Sequence, residues 1–464
     1  MVTLVCQTCA HTFTQTSHYQ RHLARKRPCK KSESIKTAVI DAIKNLQVGL
    51  FQTRTYNEVK DHIDTVLNKD KSTFTSSNDE PTPIGCIEEM IGCIPTAFWD
   101  APRKCLDPCC GNGNFHLVVA NAMRDRNQPM DVILQSLYFN DLNPLRIQNV
   151  VELFGASSNH TQLDFLKETF DTNYDLIVMN PPYALIMEDG KRASKNHGLS
   201  VQFIQKGLNS LKEGGYLVAI VPDNWMSLAD RNVFCSQLTG YQFIKLSIHV
   251  AKRWFPKVGS SFSWFVVQKT QATVPYDVEY LHKSVIRTST VPSSVRSYIP
   301  LWYSATTHSI FAKTVDCNRT PYIVETSSDL HKYTKRHFIQ DSQSTEFCNK
   351  LIHTPTQTVW ANRPHKFQDG WKVFISTTNT YSVFVDNCGM TQSIAFIRTE
   401  TEDEALQIKR VLDHPLFVFI NNACRYGNFN NVRVLQRFPK VKNNPYVEFG
   451  ITADEAAYIE AHSR

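Results

Sequence analysis

Residues 81–272 alternate between helix-like and strand-like segments, and this pattern constrains the fold most. An apolar run such as YDLIVM reads as a strand, and VQFIQKGLNSL reads as an amphipathic helix. Glu213-Gly214-Gly215 reads as the turn before the next strand. Strands that alternate with helices predict βαβ units and a parallel sheet with helices on its faces. We therefore predict an α/β domain for this part of the chain.

A glycine turn follows the first strand of this domain. Lys104–Asp107 leads into Gly111-Asn-Gly113-Asn-Phe115, and the apolar run LVVANAM comes next. Glycines let the backbone approach a ligand closely, and the helix N-terminus that follows favours a negative group. A dinucleotide-binding fingerprint needs a third glycine, but position 116 is His, which argues against NAD.

Later strands are also followed by polar residues. Asp141 comes just after SLYFN, where it could accept hydrogen bonds from both ribose hydroxyls of a nucleoside. Asp164 follows a third short strand, where it could accept a bond from an adenine amine. The strand Asp175 to Met179 then ends in Asn180-Pro181-Pro182-Tyr183. Each motif alone is common in ordinary loops, so their order and their position at strand ends carry the argument.

These four motifs, in this order, resemble the Rossmann-like N6-adenine DNA methyltransferases of restriction-modification systems. The similar subgroup has the gamma-like order, in which the cofactor motif precedes Asn-Pro-Pro-Tyr. The resemblance covers about Thr82 to Lys269. It implies a class I core that binds S-adenosylmethionine. The residues it implies as cofactor-binding are Thr82, Pro83, Asp107, Gly111, Gly113, Phe115, Asp141, Asp164 and Asn180.

The same resemblance implies a set of catalytic residues. The Asn180 side-chain carbonyl and the Pro181 backbone carbonyl would accept hydrogen bonds from the target amine, and rigid Pro182 would help to fix them. Because the amine is inaccessible inside a duplex, the base must flip out. Tyr183 and Phe255 would then stack on its two faces. No dedicated base for the departing proton is evident in the sequence.

Residues 1–31 form a head rich in Cys and His. The spacing Cys6-x2-Cys9-x12-His22 is that of a zinc finger up to its third ligand, and Cys29 is the favoured fourth ligand. Two alternatives remain: a ligand set that uses His18 together with His22, and no bound metal. About thirty residues cannot bury enough apolar surface to fold without a metal ion or a disulfide, which argues for structural Zn²⁺. The stretch HLARKRPC resembles Cys-Cys-His-Cys fingers of large DNA viruses, which suggests a virus-encoded protein.

The remaining chain divides into two zones. Residues 32–80 are predicted as a helical linker, with Val59 and Ile63 on an apolar face. Residues 273–464 are predicted as an α+β target-recognition domain, since their last part resembles the end of such regions in restriction-modification enzymes. Four residues of this zone are candidates for DNA contact: Trp360, Arg363, Lys366 and Trp371. The alternative is that they belong to the core and to the solvated surface.

The charge distribution favours double-stranded DNA as the partner. The net charge is only +7, but residues 1–31 and 415–442 hold Lys and Arg without a single Asp or Glu. There is no run of about 18 apolar residues and no secretory signal pattern, so we predict a cytoplasmic or nuclear protein without a membrane partner. The sequence does not indicate an oligomeric state.

Several other functions share parts of this pattern. Asn-Pro-Pro-Tyr also occurs in RNA adenine methyltransferases and in protein glutamine N5-methyltransferases, and cytosine N4 methylation uses related chemistry. The glutamine-modifying enzymes are shorter and lack a large C-terminal region. A catalytically dead DNA-binding module is a further alternative, but the intact Asp107, Asp141 and Asn180 argue against it.

Overall fold

The computed structural model of the 464-residue chain divides into two compact units. The first unit comprises residues 1–88 and 95–170, and the second comprises residues 89–94 and 171–464. The domain boundaries predicted at residues 31, 80 and 272 stay predictions. The structure describes residues 3–6, 11–25, 48–74, 79–183, 198–228, 233–256, 258, 261–378, 380–427 and 429–463.

The first unit contains a small hairpin, helices and a parallel sheet. The hairpin pairs β1 with β2, Leu4 opposite Phe13. The sheet has the order β3-β4-β5, and both pairings are parallel, as predicted. Its strands are β1 Leu4–Val5, β2 Thr12–Phe13, β3 Cys105–Asp107, β4 Leu137–Asn140 and β5 Asn159–Thr161. Its helices are α1 Thr16–Leu23, α2 Leu50–Thr53, α3 Tyr56–Thr65, α4 Ile84–Ile91 (which runs on into the second unit), α5 Asn114–Arg124, α6 Met130–Ser136 and α7 Pro144–Phe154.

Capping residues set where the helices of this unit begin. Thr55 caps α3 in a capping box with Glu58, in which the Thr55 amide donates to the Glu58 carboxylate at 2.8 Å. Val59 and Ile63 are buried on one face of α3, as the sequence predicted. Asn143 caps α7 by accepting the Leu145 amide, and a proline occupies the first helical position.

The principal sheet of the second unit is mixed, whereas the sequence predicted a parallel sheet. The strand order is β6-β7-β9-β8-β10-β11. β6 runs parallel to β7, whereas β9 is antiparallel to both β7 and β8. The reason is that β8 and β9 are consecutive, neighbouring strands, and no α-helix lies among the described residues between them, so the chain reverses direction. These strands are β6 Tyr174–Met179, β7 Leu211–Pro222, β8 Tyr241–Ile248, β9 Phe262–Gln271, β10 Tyr276–His282 and β11 Val285–Val291.

The turn predicted at Glu213-Gly214-Gly215 is instead an irregularity inside β7. Tyr174 pairs with Leu211, but Leu176 pairs with Tyr216, so the residues between Leu211 and Tyr216 have no regular partners on β6. Gly214 has φ +79°, a conformation that glycine adopts without strain. The extra residues therefore remain in the strand as a bulge.

The rest of the second unit contains two smaller sheets and several helices. One sheet has the order β12-β19-β16-β17 and the other the order β13-β15-β14-β18. The strands are β12 Glu325–Thr326, β13 Ile339–Gln340, β14 Asn349–Thr354, β15 Gln357–Ala361, β16 Lys372–Ser376, β17 Val383–Asp386, β18 Gly389–Met390 and β19 Ile394–Arg398. The helices are α8 Gly198–Ser210, α9 Val233–Thr239, α10 Ala305–Lys313, α11 Glu402–Leu412, α12 Pro415–Ala423, α13 Val432–Leu435, α14 Pro445–Glu448 and α15 Ala453–Ser463.

Within the part of the chain that the structure describes, no helix combines the length and the apolar character that crossing a membrane requires.

Candidate functional site

The glycine turn of the first unit connects β3 to α5. Asp107 ends β3 with a side chain that is only 1% exposed, and its carboxylate accepts the Cys109 amide at 3.1 Å. Burial raises the pKa of Asp107 well above its usual range. Gly111 and Gly113 have φ +54° and +81°, and Gly113 is the N-cap of α5. The predicted strand, glycine turn and helix are therefore confirmed as local structure.

Asp141 holds this turn directly. Its Oδ2 accepts the Gly111 amide at 2.9 Å, and its Oδ1 accepts the Asn143 amide at 2.9 Å. Arg146 Nη1 lies 3.6 Å from Oδ2. The structure thus brings Asp107, Gly111 and Asp141 together at the ends of adjacent parallel strands. A carboxylate has about four acceptor positions, so Asp141 keeps capacity for ligand hydroxyls.

Asn140, the last residue of β4, was not predicted as a site residue, and it ties the loops after β3 and β5 together. Its Nδ2 donates to the carbonyls of Pro108 and Leu163, both at 3.0 Å, and its Oδ1 accepts the Leu163 amide at 3.0 Å. Asn140 is only 1% exposed. It therefore fixes the segment that carries Asp164 beside the end of β3. Its position in SLYFND, one residue before Asp141, was the available hint.

Asp164 is more open than the other two carboxylates. It accepts the Leu166 amide at 3.1 Å and forms an ion pair with Lys167 at 3.0 Å. The hydrogen bond from Lys167 lowers the pKa of Asp164, so the group is a carboxylate at neutral pH. An accessible carboxylate suits the predicted contact with an adenine amine.

The segment Thr82-Pro83 is joined to the start of α5. Asn114 Nδ2 donates to the Thr82 carbonyl at 2.8 Å, and both residues are buried. The Asn114 Oδ1 is buried without a hydrogen-bond partner among the described residues. Phe115, next along α5, is 4% exposed. Asn114 was not predicted as a site residue, and it supplies an unused acceptor beside the glycine turn.

The second unit holds the Asn-Pro-Pro-Tyr motif directly after β6. The Tyr183 hydroxyl donates to Asn180 Oδ1 at 2.9 Å. Pro181 is buried and Pro182 is exposed. β6 itself is almost wholly apolar, and Leu176 to Met179 are fully buried, which is typical of a strand covered on both faces. The motif therefore begins where a rigid strand ends.

Phe262 lies between the two aromatic rings that were predicted to stack on the target base. The ring centroids of Tyr183 and Phe262 are 5.7 Å apart, and those of Phe262 and Phe255 are 5.5 Å apart. Phe255 and Phe262 are both almost fully buried. Phe262 was not predicted from the sequence. It lies at the start of β9, outside all of the recognised motifs. The stacking roles of Tyr183 and Phe255 stay predictions.

Residues 123–255 match the family model of the Eco57I restriction-modification methylase. A type II methyltransferase from Thermus thermophilus is 28% identical over 177 residues. The match spans 34% of this chain and 37% of that relative. These matches support a restriction-modification type of methylase, but they cover only about a third of the chain.

Two solved structures are similar over most of the chain. The type IIL restriction-modification enzyme MmeI in complex with DNA has a TM-score of 0.50 at 9% identity. The match covers 92% of this chain and 70% of the MmeI chain. The DrdV–DNA complex has a TM-score of 0.49 at 10% identity, covering 88% and 59%. At such low identity, the likeness to MmeI indicates a shared fold.

The head forms a hairpin followed by a helix, and the two described residues of the favoured ligand set are buried. Cys6 is fully buried, and His22 is 9% exposed. Phe13 packs against Tyr19 and His22, with centroid distances of 5.7 and 4.9 Å. The predicted ligands Cys9 and Cys29 lie outside the described residues, and those that are described contain no group of three metal-binding side chains.

The four DNA-contact candidates of the last zone have different surroundings. Arg363 is engaged by Asp329 at 2.9 Å, an interaction that lowers the pKa of Asp329 to about 2. Trp371 packs against the hydrophobic core, and Trp360 is half-buried on β15. Lys366 is exposed. Of these four, Lys366 is thus the most accessible to a phosphate backbone.

Proposed function

We propose that this protein is an S-adenosylmethionine-dependent methyltransferase that methylates the N6 amine of adenine in DNA after flipping the base out. The observation that carries the proposal is the geometry of Asn180. Its side-chain oxygen is fixed by the Tyr183 hydroxyl at the end of a buried strand.

This geometry suits the chemistry of an aromatic amine. The amine is a poor nucleophile because its lone pair is delocalised into the ring. An amide oxygen has two lone pairs, so Asn180 Oδ1 is the acceptor we propose for one N–H of the substrate, beside the Tyr183 hydroxyl. The Pro181 carbonyl is the second acceptor. Two acceptors draw the nitrogen toward tetrahedral geometry and direct its lone pair at the methyl donor.

The first unit offers groups that fit S-adenosylmethionine. This cofactor would supply a methyl group activated by a sulfonium. Asp141 would bind its ribose and Asp164 its adenine, while Gly111 leaves open space, since a Cβ built there meets no described atom within 4 Å. The unused Asn114 Oδ1 could accept a donor of the methionine moiety. A cationic ligand would also favour the charged form of buried Asp107.

DNA is proposed as the substrate because of the basic C-terminal segment. Residues 415–442 contain no acid, and four of their five cations are exposed: Arg433, Arg437, Lys440 and Lys442. Such a surface suits a phosphate backbone.

We also propose a structural zinc ion bound by Cys6, Cys9, His22 and Cys29. The burial of both Cys6 and His22 supports this set, and the exposure of His18 disfavours the alternative one. Metal analysis of purified protein should give one zinc per chain, and Cys6→Ser should lose it. Protein that is folded, full-length and free of zinc would refute the site.

The function is tested by offering three substrates in parallel. Protein is incubated with tritiated S-adenosylmethionine and unmethylated DNA, RNA or total protein, and labelled nucleosides are identified. We expect label in N6-methyladenine from DNA. Label in RNA adenine, in protein glutamine or in N4-methylcytosine would replace the proposal by that alternative. Asn180→Ala should abolish transfer and leave cofactor affinity unchanged in equilibrium dialysis.

A further inference from the structure

A carboxylate and an imidazole form a close pair at the ends of β7 and β8. Asp223 Oδ2 lies 2.5 Å from His249 Nε2. The Asp223 side chain is 1% exposed, and neither of its oxygens has a well-aligned hydrogen-bond donor among the described residues. The His249 side chain is 24% exposed. A buried acid therefore contacts an imidazole that is itself partly exposed to solvent.

The backbone of His249 is strained. Its φ is +63°, in the left-handed region that residues other than glycine seldom occupy. Such conformations are held by their surroundings and are concentrated at functional sites. Here the surroundings include Asp223 and the Phe262 carbonyl, which accepts the His249 amide at 3.0 Å.

The pair lies at the same edge of the sheet as the Asn-Pro-Pro-Tyr motif, within the second unit. Asp223 follows β7, which runs parallel to β6, and Met179 pairs with Ala219. Carboxyl ends of neighbouring parallel strands meet at one edge of a sheet. Phe262 links the two groups, because its carbonyl binds His249 while its ring contacts that of Tyr183.

We propose that the Asp223–His249 pair accepts the proton that the target amine releases, an inference that rests on the proposed function. When the new N–C bond forms, the S–C bond breaks and its electron pair stays on sulfur. The nitrogen then has one hydrogen too many. Its N–H bond breaks, the electron pair stays on nitrogen, and the proton moves to the His249 imidazole. Asp223 balances the imidazolium charge, and the exposed edge of His249 passes the proton to water.

Several other ionisable groups on the strands packed against the 3-10 turn Val250–Trp254 have partners of their own. Lys245 and Glu279 form an ion pair at 2.9 Å, Asp277 accepts from Thr290, Tyr280 bonds to Tyr458, and His282 stacks on His462. On the turn itself, Arg253 pairs with Glu89 and Lys252 donates to the Val258 carbonyl. Asp223 is thus the acid that His249 contacts.

The test compares His249→Gln and Asp223→Asn with wild type in single-turnover methylation across a range of pH. A control variant, His62→Gln, breaks another histidine–carboxylate pair, that of His62 and Glu152 at 3.0 Å in the first unit. Base flipping is followed separately with 2-aminopurine at the target position, and DNA affinity by anisotropy. The wild-type rate should fall at low pH, because a protonated imidazole cannot accept a proton.

We expect His249→Gln to lower the rate about 100-fold or more and to remove this low-pH fall, with flipping and DNA affinity unchanged. Asp223→Asn should act in the same direction, and His62→Gln should match wild type. A His249→Gln rate within about threefold of wild type would overturn the proposal. So would a loss of flipping in both variants, which would assign the pair a structural role. If wild type itself labels no DNA adenine, the proposed function fails instead.

Discussion

The Tyr183 hydroxyl donates a 2.9 Å hydrogen bond to the side-chain oxygen of Asn180, so two residues of one motif orient each other. This bond favours the orientation in which the amide oxygen of Asn180, and not its nitrogen, lies beside Tyr183. A nitrogen in that position would donate where an acceptor is needed. The tyrosine therefore has a second role besides the predicted stacking.

Tyr183→Phe tests this role, since it removes the hydroxyl and keeps the ring. We expect methyl transfer to slow up to about tenfold, because a hydrogen bond of this kind is worth about 0.5–1.5 kcal/mol. Base flipping, measured with 2-aminopurine fluorescence, should be unchanged. Tyr183→Ala is the matched comparison and should weaken flipping as well. Equal rates for wild type and Tyr183→Phe would contradict the orienting role.

Gly113→Ala should destabilise the first unit and weaken cofactor binding. The residue has φ +81°, and an added Cβ would lie 3.0 Å from Phe154 Cε2. We expect a loss of about 1–3 kcal/mol, measured by denaturant unfolding with a probe in this unit. Gly427→Ala is the control, because its Cβ would meet no described atom within 4 Å and its φ is not left-handed. A neutral Gly113→Ala variant would show that the turn relaxes easily.

Asn140→Ala should loosen the loops after β3 and β5 together. Three backbone groups, the Pro108 carbonyl and the carbonyl and amide of Leu163, would lose their partner, at a cost of about 1–3 kcal/mol. Hydrogen exchange should rise at Leu163, because its amide donates a hydrogen bond to Asn140. The affinity for S-adenosylmethionine should fall. Asn121→Ala serves as control, because among the described residues the Asn121 side chain bonds only to the nearby side chains of Asp125 and Arg124. Unchanged exchange at Leu163 would refute the bridging role.

The second unit should lose stability as the pH falls from about 6.5 toward 4. Burial, followed by the neighbouring His462, lowers the pKa of His282 to about 4, and burial lowers the pKa of His462 as well. The unfolded chain therefore binds more protons than the folded one between these pH values, so acid favours unfolding. The two rings stack at 4.2 Å and join α15 to β10.

His282→Phe should weaken this dependence, because it keeps a ring and removes one protonation site. Thermal unfolding midpoints at pH 7, 6, 5 and 4.5 would be compared with those of wild type. His337→Phe, a change at an exposed histidine, should follow the wild-type curve. Parallel curves for His282→Phe and wild type would contradict the prediction.

Local structure in the first unit was well predicted from sequence. β3, the glycine turn and α5 follow from an apolar run, two glycines and a helix-forming segment, each within a few residues. The bulge in β7 was mistaken for a turn because Gly-Gly favours both, and only the pairing with β6 distinguishes them. The antiparallel direction of β9 between β7 and β8 was missed for a similar reason. The direction of a strand depends on the connection that precedes it, and the local sequence does not show which neighbour the strand will pair with.

The sequence by itself determined the order of the motifs and the ends of the strands that carry them, because these depend on neighbours along the chain. Only the tertiary structure decided that Asn140 joins the ends of β3 and β5, that Phe262 lies between Tyr183 and Phe255, and that Asp223 meets His249. These contacts join residues that are distant in sequence, and they arise from sheet register and close packing, which no local pattern encodes.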